Sequence, residues 1–317
     1  MELHATRIEP GRVIHTAQAL IDAVADVPRL PQRGGNEMAT DFSRHPAGAV
    51  NTLLAAQRQG ATGVHAGAVG TGPNGDLIRH ALSEAGISVA GDPVPDVDSG
   101  ICFVMVEPGG QRTFVTTLGA ERDLDLSMLQ ASNPRPGDVV CVSGYSLVVE
   151  STRVPLLTWL SLLPDGVGVV LDPGAAFETL AEDVHDTMLA LTTVWTGNME
   201  ETRALTGETD LARAAERAED FLPTGTVAIV RDGDRGCAVH YDDRTEVVPG
   251  FPQTPVDTNG AGDCHTGALV AARQAGASWP EACRRANAAA AIKVTRRGPD
   301  TAPTAAEVDE FLAAFTG

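Results

Sequence analysis

The sequence predicts an α/β fold, a three-layer, doubly wound, mostly parallel sheet with a small β-sheet lid. Two observations carry this. Short β-branched or apolar runs alternate with helical patterns along most of the chain, as βαβ units do. One stretch breaks that rhythm with two strands joined by a Pro-Gly-Gly turn, which does not belong in a parallel sheet.

Taken in order, residues 62–70 read as a strand and 76–85 as a helix. Residues 138–143, 167–172, 192–195 and 226–231 read as buried strands. Helical patterns cover 174–190, 199–206, 209–222, 281–295 and 305–315. The exception is 100–117, where Pro108-Gly109-Gly110 joins the two strands. The hairpin pairs with the segment near 34–45 as a lid, or else extends an edge of the main sheet. No repeat or linker divides the chain. One domain over 1–317 is expected, with lid segments at about 30–46 and 99–118.

Composition narrows the function. The 317 residues include 23 Lys+Arg against 42 Asp+Glu, a net charge of −19. That field repels phosphate backbones and anionic lipids, so neither nucleic acid nor membrane is an expected partner. Aromatics are only 4%, which argues against an aromatic-lined binding module. Five cysteines (102, 141, 237, 264, 283) show no C-x-x-C pair, which fits a reducing cytoplasm. The N-terminal stretch has no apolar core of signal-peptide length, and no run approaches a membrane span. Lys293 is the only lysine.

The strongest motif is Asp257-Thr258-Asn259-Gly260-Ala261-Gly262-Asp263, followed by a helix of small and apolar residues. Its glycines let backbone amides converge where the helix opens, and such a helix N-terminus attracts anions. Asp263 there is either a helix-stabilising acid or a general base beside a phosphate cradle. Gly70-Thr71-Gly72-Pro73-Asn74-Gly75 is a literal dinucleotide-binding fingerprint, and Asp92 lies about the right distance on. Asp92 sits in a Pro-rich turn, however, and the motif starts after a strand and helix already used, so it reads as a decoy. There is no P-loop and no H-E-x-x-H.

The Asp257–Asp263 stretch resembles the C-terminal signature of the ribokinase-like (PfkB) carbohydrate kinases, D-T-x-G-A-G-D. The likeness continues through Arg284–Ile292 and Val294–Gly298, and then over nearly the whole chain. Asn198 and Glu201 match the family's N-x-x-E motif, with Gly197 where a proline is usual. Ala47-Gly48-Ala49-Val50-Asn51 resembles the substrate-side glycine motif, with Ala47 and Leu53 as departures. Asp22 matches the acid at the end of the first strand, and Arg231–Gly236 the segment near the nucleotide phosphates. At 70–75 the family carries a G-x-x-G-x-D-x-x-G turn.

The resemblance implies an ATP-dependent kinase acting on a hydroxyl of a small sugar. Asp22, Gly48 and Asn51 would hold the sugar, and Asp263 would act as base. Gly260, Ala261 and Gly262 would form the anion hole. Asn198, Glu201, Arg231, Gly233 and Asn287 would serve ATP, with Mg²⁺ reached by Glu201 through water and K⁺ beside Asp257, the carbonyl of residue 259 and the loop after Val294. His265 is a packed residue or a substrate contact. Dimers through the lid are a further implication. The other readings are a nucleoside kinase of the same fold, disfavoured by the low aromatic count, and a catalytically idle sugar-binding regulatory protein.

Overall fold

The computed structural model describes residues 11–315. The expectation for the first ten residues therefore lies outside the described residues. The chain begins with β1 (Arg12–His15), β2 (Ala19–Asp26), β3 (Asp41–Gly48), α1 (Ala49–Arg58), β4 (Thr62–His65), α2 (Pro73–Glu84) and β5 (Ser88–Val89). It continues with β6 (Ile101–Val106), β7 (Arg112–Thr116), α3 (Leu126–Ala131), β8 (Val139–Ser143), α4 (Glu150–Leu160), β9 (Gly168–Asp172) and α5 (Glu182–Leu191). Next come β10 (Val194–Asn198), α6 (Met199–Thr206), α7 (Leu211–Ala218), β11 (Val227–Arg231), β12 (Gly236–Tyr241) and β13 (Arg244–Pro249). Helices α8 (Ala261–Gln274), α9 (Trp279–Val294) and α10 (Ala305–Ala313) close the chain.

Nine strands form the main sheet, in the order β13-β12-β11-β10-β9-β8-β1-β4-β5. Every neighbouring pair is parallel except β11–β12 and β12–β13. From β1 the chain builds outward to β5 and then returns to build the other half from β8, so the sheet is doubly wound. Successive strand residues serve opposite faces. Val13, Cys141 and Val170 pack beneath α1, α8 and α9. Their neighbours Ile14, Val140 and Val169 pack against α4 and α5 on the other face. The sheet is thus buried on both faces along its parallel part.

The hairpin β6–β7 joins β2 and β3 in a separate four-stranded sheet, ordered β3-β2-β6-β7. Gly109 and Gly110 turn it at φ 106° and 83°, where only glycine is unstrained. It does not extend the main sheet. One strand of the small sheet was not foreseen. β2 reads as small and apolar, like a strand of the main sheet, yet it is central in the small one. Asp22 is therefore not at the end of the first strand. It sits inside β2, opposite His45 on one side and Cys102 on the other.

Two other expectations change, and one further element was not foreseen. The strand expected over 62–70 ends at His65, and the chain then runs as a loop to Gly70, which bridges to Val94. The helix expected over 174–190 is broken, because Leu180 and Ala181 are extended before α5 starts. The β12–β13 hairpin was unforeseen; its turn is Asp242-Asp243, both at positive φ as a tight hairpin requires. Helix α6, by contrast, spans the expected 199–206 and stops at Gly207, left-handed at φ 76°. Among the described residues, no helix is long and apolar enough to cross a membrane.

Candidate active site

The carboxyl ends of β9, β10 and β11 lie side by side and carry Asp172, Asn198 and Arg231. Open α/β sheets bind ligands at this edge. The start of α8 lies close by. Its N-cap is Gly260 at φ 74°, and no side chain caps it. A Cβ on Gly260 would lie 2.8 Å from the Pro299 carbonyl oxygen, so the turn needs glycine twice over. The Ala261 amide donates to the Thr258 carbonyl at 3.2 Å. Of the three amides expected in the anion hole, Ala261's is thus committed to closing the turn, which leaves Gly260 and Gly262.

Asp263 follows in the first turn of α8. Asn51 Nδ2 donates to its Oδ2 at 3.0 Å, and Thr52 Oγ1 lies 3.5 Å from Oδ1. Burial pushes its carboxyl up to about 6, although the side chain keeps a partial opening to solvent. The Asn51 bond and Arg231 oppose that shift, while Asp172 and Asp22 add to it. Asn51 Oδ1 is buried and has no partner. Gly48, at φ 66°, turns β3 into α1 and so places Asn51; a Cβ there would meet the Gln18 carbonyl oxygen at 2.3 Å. Asp22 is buried and accepts from Asn259 Nδ2 at 3.0 Å. Burial raises its pKa too.

Arg231 joins the acidic groups. Its Nη2 donates to Asp172 Oδ1 and to the Thr196 carbonyl, both at 3.1 Å, and lies 3.8 Å from Glu201 Oε2. Its Nε and Nη1 are buried without a partner. Nη1 lies on the Gly262 side, 2.7 Å from where a Cβ would be. Asn198 and Glu201 form a reciprocal capping box on α6: Glu201 N donates to Asn198 Oδ1 at 2.9 Å, and Asn198 N to Glu201 Oε2 at 2.8 Å. Burial and the charge of Asp172 raise the Glu201 pKa. Gly233 (φ 57°) has open space where a Cβ would be.

Asn287 is more committed than the sequence suggested. Its Nδ2 donates to the carbonyls of Val248 and Pro249, and its Oδ1 faces His265 Nε2 at 3.1 Å. Both residues are buried. His265 therefore packs inside the protein, and Asn287 fixes the β13 edge instead of offering free polar atoms.

A cavity of about 450 Å³ lies between the small sheet and the loops around Asp257 and Gly298. Val24, Ser43, His45 and Val104 wall it on the small-sheet side, and Asn259 connects it to Asp22. Among the described residues, no Phe, Tyr or Trp lines it.

The profile of "pfkB family carbohydrate kinase" matches residues 12–305. The chain belongs to this family. It is thus a carbohydrate kinase, a transferase acting on sugars. Over 303 residues it is 30% identical to the uncharacterized sugar kinase YegV of Escherichia coli K12, covering 93% of this chain and 92% of that one. It is 28% identical over 297 residues to the ribokinase of Haemophilus influenzae, covering 92% and 95%. A putative ribokinase II from E. coli, solved in complex with ATP and Mg²⁺, shares the fold with a TM-score of 0.81 at 24% identity, covering 96% of this chain and 99% of that one.

Within this carbohydrate kinase, the dinucleotide fingerprint has its own explanation. The amides of Asn74, Gly75 and Ser99 all donate to the Asp98 carboxylate at 2.8–3.1 Å. The start of α2 is thus filled by an internal anion and leaves none for a pyrophosphate.

The K⁺ expected beside Asp257 does not fit the donor set. Asp257 Oδ1 accepts from Asn259 N at 2.9 Å and pairs with the Arg112 guanidinium. Oδ2 accepts from Gly298 N at 2.9 Å. The Asp257 carbonyl accepts from Lys293 Nζ at 2.9 Å, and the Val294 carbonyl from Val256 N and Asp257 N. Two cations of the protein already take the Asp257 carbonyl and Oδ1, and backbone amides take Oδ2 and the Val294 carbonyl.

Several neighbours of the pfkB-family site escaped the sequence reading: Thr52, Arg112, Asp172 and the side chain of Asn259, of which only the carbonyl was expected to act. Asp172-Pro173-Gly174 closes a buried strand, and that position could have flagged Asp172. Nothing in the sequence brings Arg112 to Asp257, 145 residues away.

Proposed function

We propose that this carbohydrate kinase transfers the γ-phosphoryl group of ATP to a hydroxyl of a small sugar, with Asp263 as base. The observation that carries the reading is the meeting of Asp263, with its raised pKa, and the uncapped N-terminus of α8. A base with a pKa near 6 is ionised at neutral pH and still basic enough to take a hydroxyl proton as the bond to phosphorus forms. The amides of Gly260 and Gly262 and the dipole of α8 stabilise charge on the transferring group. Most of the work is positioning and electrostatics.

Asn51 and Asp22 hold the sugar. The unpartnered Asn51 Oδ1 is an acceptor awaiting a hydroxyl, beside the base that Asn51 Nδ2 orients. Asp22 offers a carboxylate to neighbouring hydroxyls. The unpartnered Nη1 of Arg231, beside Gly262, would meet the γ-phosphate. Mg²⁺ fits here through its water shell. Asp172 acts electrostatically on both Glu201 and Asp263 around the Arg231 charge, and among the described residues no cluster of three His, Cys, Asp or Glu is placed to ligate a metal directly. Glu201, with Asn198, would hold the hydrated ion, which neutralises phosphate charge when bound. Gly233 shapes the nucleotide side.

The small sheet serves as a lid that excludes water, which would otherwise compete as acceptor. Its outer face carries exposed Phe42, Phe103 and Val115, which a second copy of this chain would cover. Sedimentation of the wild type and of Phe103→Asp tests that pairing; a monomeric wild type rejects it. The low aromatic content of the chain, 4%, favours a sugar over a nucleoside.

The test is ADP release from Mg-ATP against a panel of sugars and nucleosides, with Asp263→Asn as blank. Turnover of one sugar, lost in the variant, is expected. Turnover of a nucleoside alone moves the substrate class, and sugar binding without turnover means a regulatory protein.

A further inference from the structure

We propose that the Lys293 ammonium does in this protein the work of a bound monovalent cation, so that phosphoryl transfer runs without K⁺. The inference rests on the kinase reading above and adds to it a built-in cation behind the anion hole.

Lys293 is the chain's one lysine; every other permanent side-chain cation is an arginine. It is fully buried, in the last turn of α9. A buried ammonium without partners is costly, so its setting must supply acceptors and opposite charge. It does. Nζ donates to the Asp257 carbonyl at 2.9 Å, and the Asp257 carboxylate acts on it electrostatically. Asp257 is also where the loop toward Gly260 begins. Arg112 reaches in from β7, pairs with Asp257 Oδ1, and donates to Thr258 Oγ1 at 2.8 Å. Asn259 N and Gly298 N complete the carboxylate.

A cation behind this loop can do two things. It draws carbonyls to the rear, so that the amides of the next residues face the phosphate. It also adds positive charge close to the transferring group. An ammonium suits both tasks, because it is a compact point charge with three donors. A guanidinium is planar and larger, which explains why arginine does not stand at 293 as it does elsewhere in the chain. A K⁺ ion entering here would compete with Lys293 for the Asp257 carbonyl and with Arg112 for Oδ1, and would meet two like charges.

Turnover of Mg-ATP and sugar is compared in potassium and tetramethylammonium salts at equal ionic strength. Wild-type rates within about twofold of each other are expected, and stimulation by K⁺ of about tenfold or more overturns the proposal. Lys293→Ala and the volume-keeping Lys293→Met should lose about tenfold or more in kcat without K⁺, and K⁺ should restore much of it to Lys293→Ala. Full K⁺-free turnover by a folded variant overturns the proposal. Thermal melting gives a readout free of turnover: K⁺ should raise the Tm of Lys293→Ala and leave wild type unmoved, and equal shifts in both overturn it. If neither variant folds, the wild-type salt comparison decides. If no acceptor is turned over, the kinase reading falls, and the melting comparison still judges the cation.

Discussion

The side-chain amide of Asn51 donates to Asp263 Oδ2 at 3.0 Å across 212 positions of sequence. The sugar-side residue and the proposed base are therefore one unit. Asn51 rides on α1 and Asp263 on α8. Any change in how those helices meet alters both the orientation of the base and its proton affinity.

Proton affinity gives the first prediction. Below pH 6, Asp263 in the free enzyme is mostly protonated and cannot act as base. The rate parameter kcat/KM should rise about tenfold per pH unit in that range and level off above about pH 6. The Asn51 bond favours the carboxylate. Asn51→Ala should therefore move the limb to higher pH as well as lower the plateau. A pH–rate profile of both proteins checks this, and an unmoved limb in the variant counts against Asp263 as the titrating group.

Stability should move opposite to activity. Asp263 has a raised pKa in the folded protein, so the fold favours its protonated form. Its contribution to stability is fully present at low pH and is lost as pH rises through about 6. Asp263→Asn removes that penalty. At pH 8 the variant should be more stable by on the order of 1–3 kcal/mol, with kcat lower by about 10²–10⁴-fold. Urea unfolding at pH 5 and pH 8, together with turnover, tests both halves; the gain should shrink at the lower pH.

How much of this was legible follows from range. Helix α6 and the Asn198–Glu201 pair lie within a few residues of each other, and a local capping pattern identifies them. The Asp257–Asp263 loop was legible because its glycines are needed for backbone shape, as Gly260 at φ 74° bears out. β2 was not placed because a small, apolar strand looks the same in either sheet; only its pairing with β3 and β6 tells them apart. Arg112 and Lys293 at Asp257 were illegible for the same reason, since their partners are set by tertiary packing. The Ala261 amide failed as a hole donor through one turn hydrogen bond that no sequence pattern marks.

Arg231 should matter for chemistry more than for binding. Its Nη2 is tied to Asp172 and Thr196, while Nε and Nη1 are buried without a partner. Arg231→Met leaves Asp172, Glu201 and Asp263 without their shared cation. We expect kcat to fall by about 10²–10³-fold with a smaller change in the KM for sugar. The acid limb should also move to higher pH, because the Arg231 charge holds the Asp263 pKa down. Steady-state kinetics across pH separate the two effects; a normal kcat with a raised KM for ATP alone would make Arg231 a binding residue only.

The last prediction returns to the helix pair. Gly267 on α8 faces α1, and a Cβ there would lie 2.4 Å from the Thr52 carbonyl oxygen and 2.7 Å from Ala55 Cβ. Neither neighbour is the flexible end of a side chain, so relief requires the helices to part. Gly267→Ala gains about 1 kcal/mol of helix propensity and loses about 1–3 kcal/mol to overpacking, so a net destabilisation is expected. Parting the helices also draws Asn51 from Asp263. The acid limb of kcat/KM should then move upward, as in Asn51→Ala, with kcat reduced by up to about 10²-fold. A packing role alone would lower Tm and leave the limb in place, so Tm and the pH profile measured together decide whether the α1–α8 contact tunes the base.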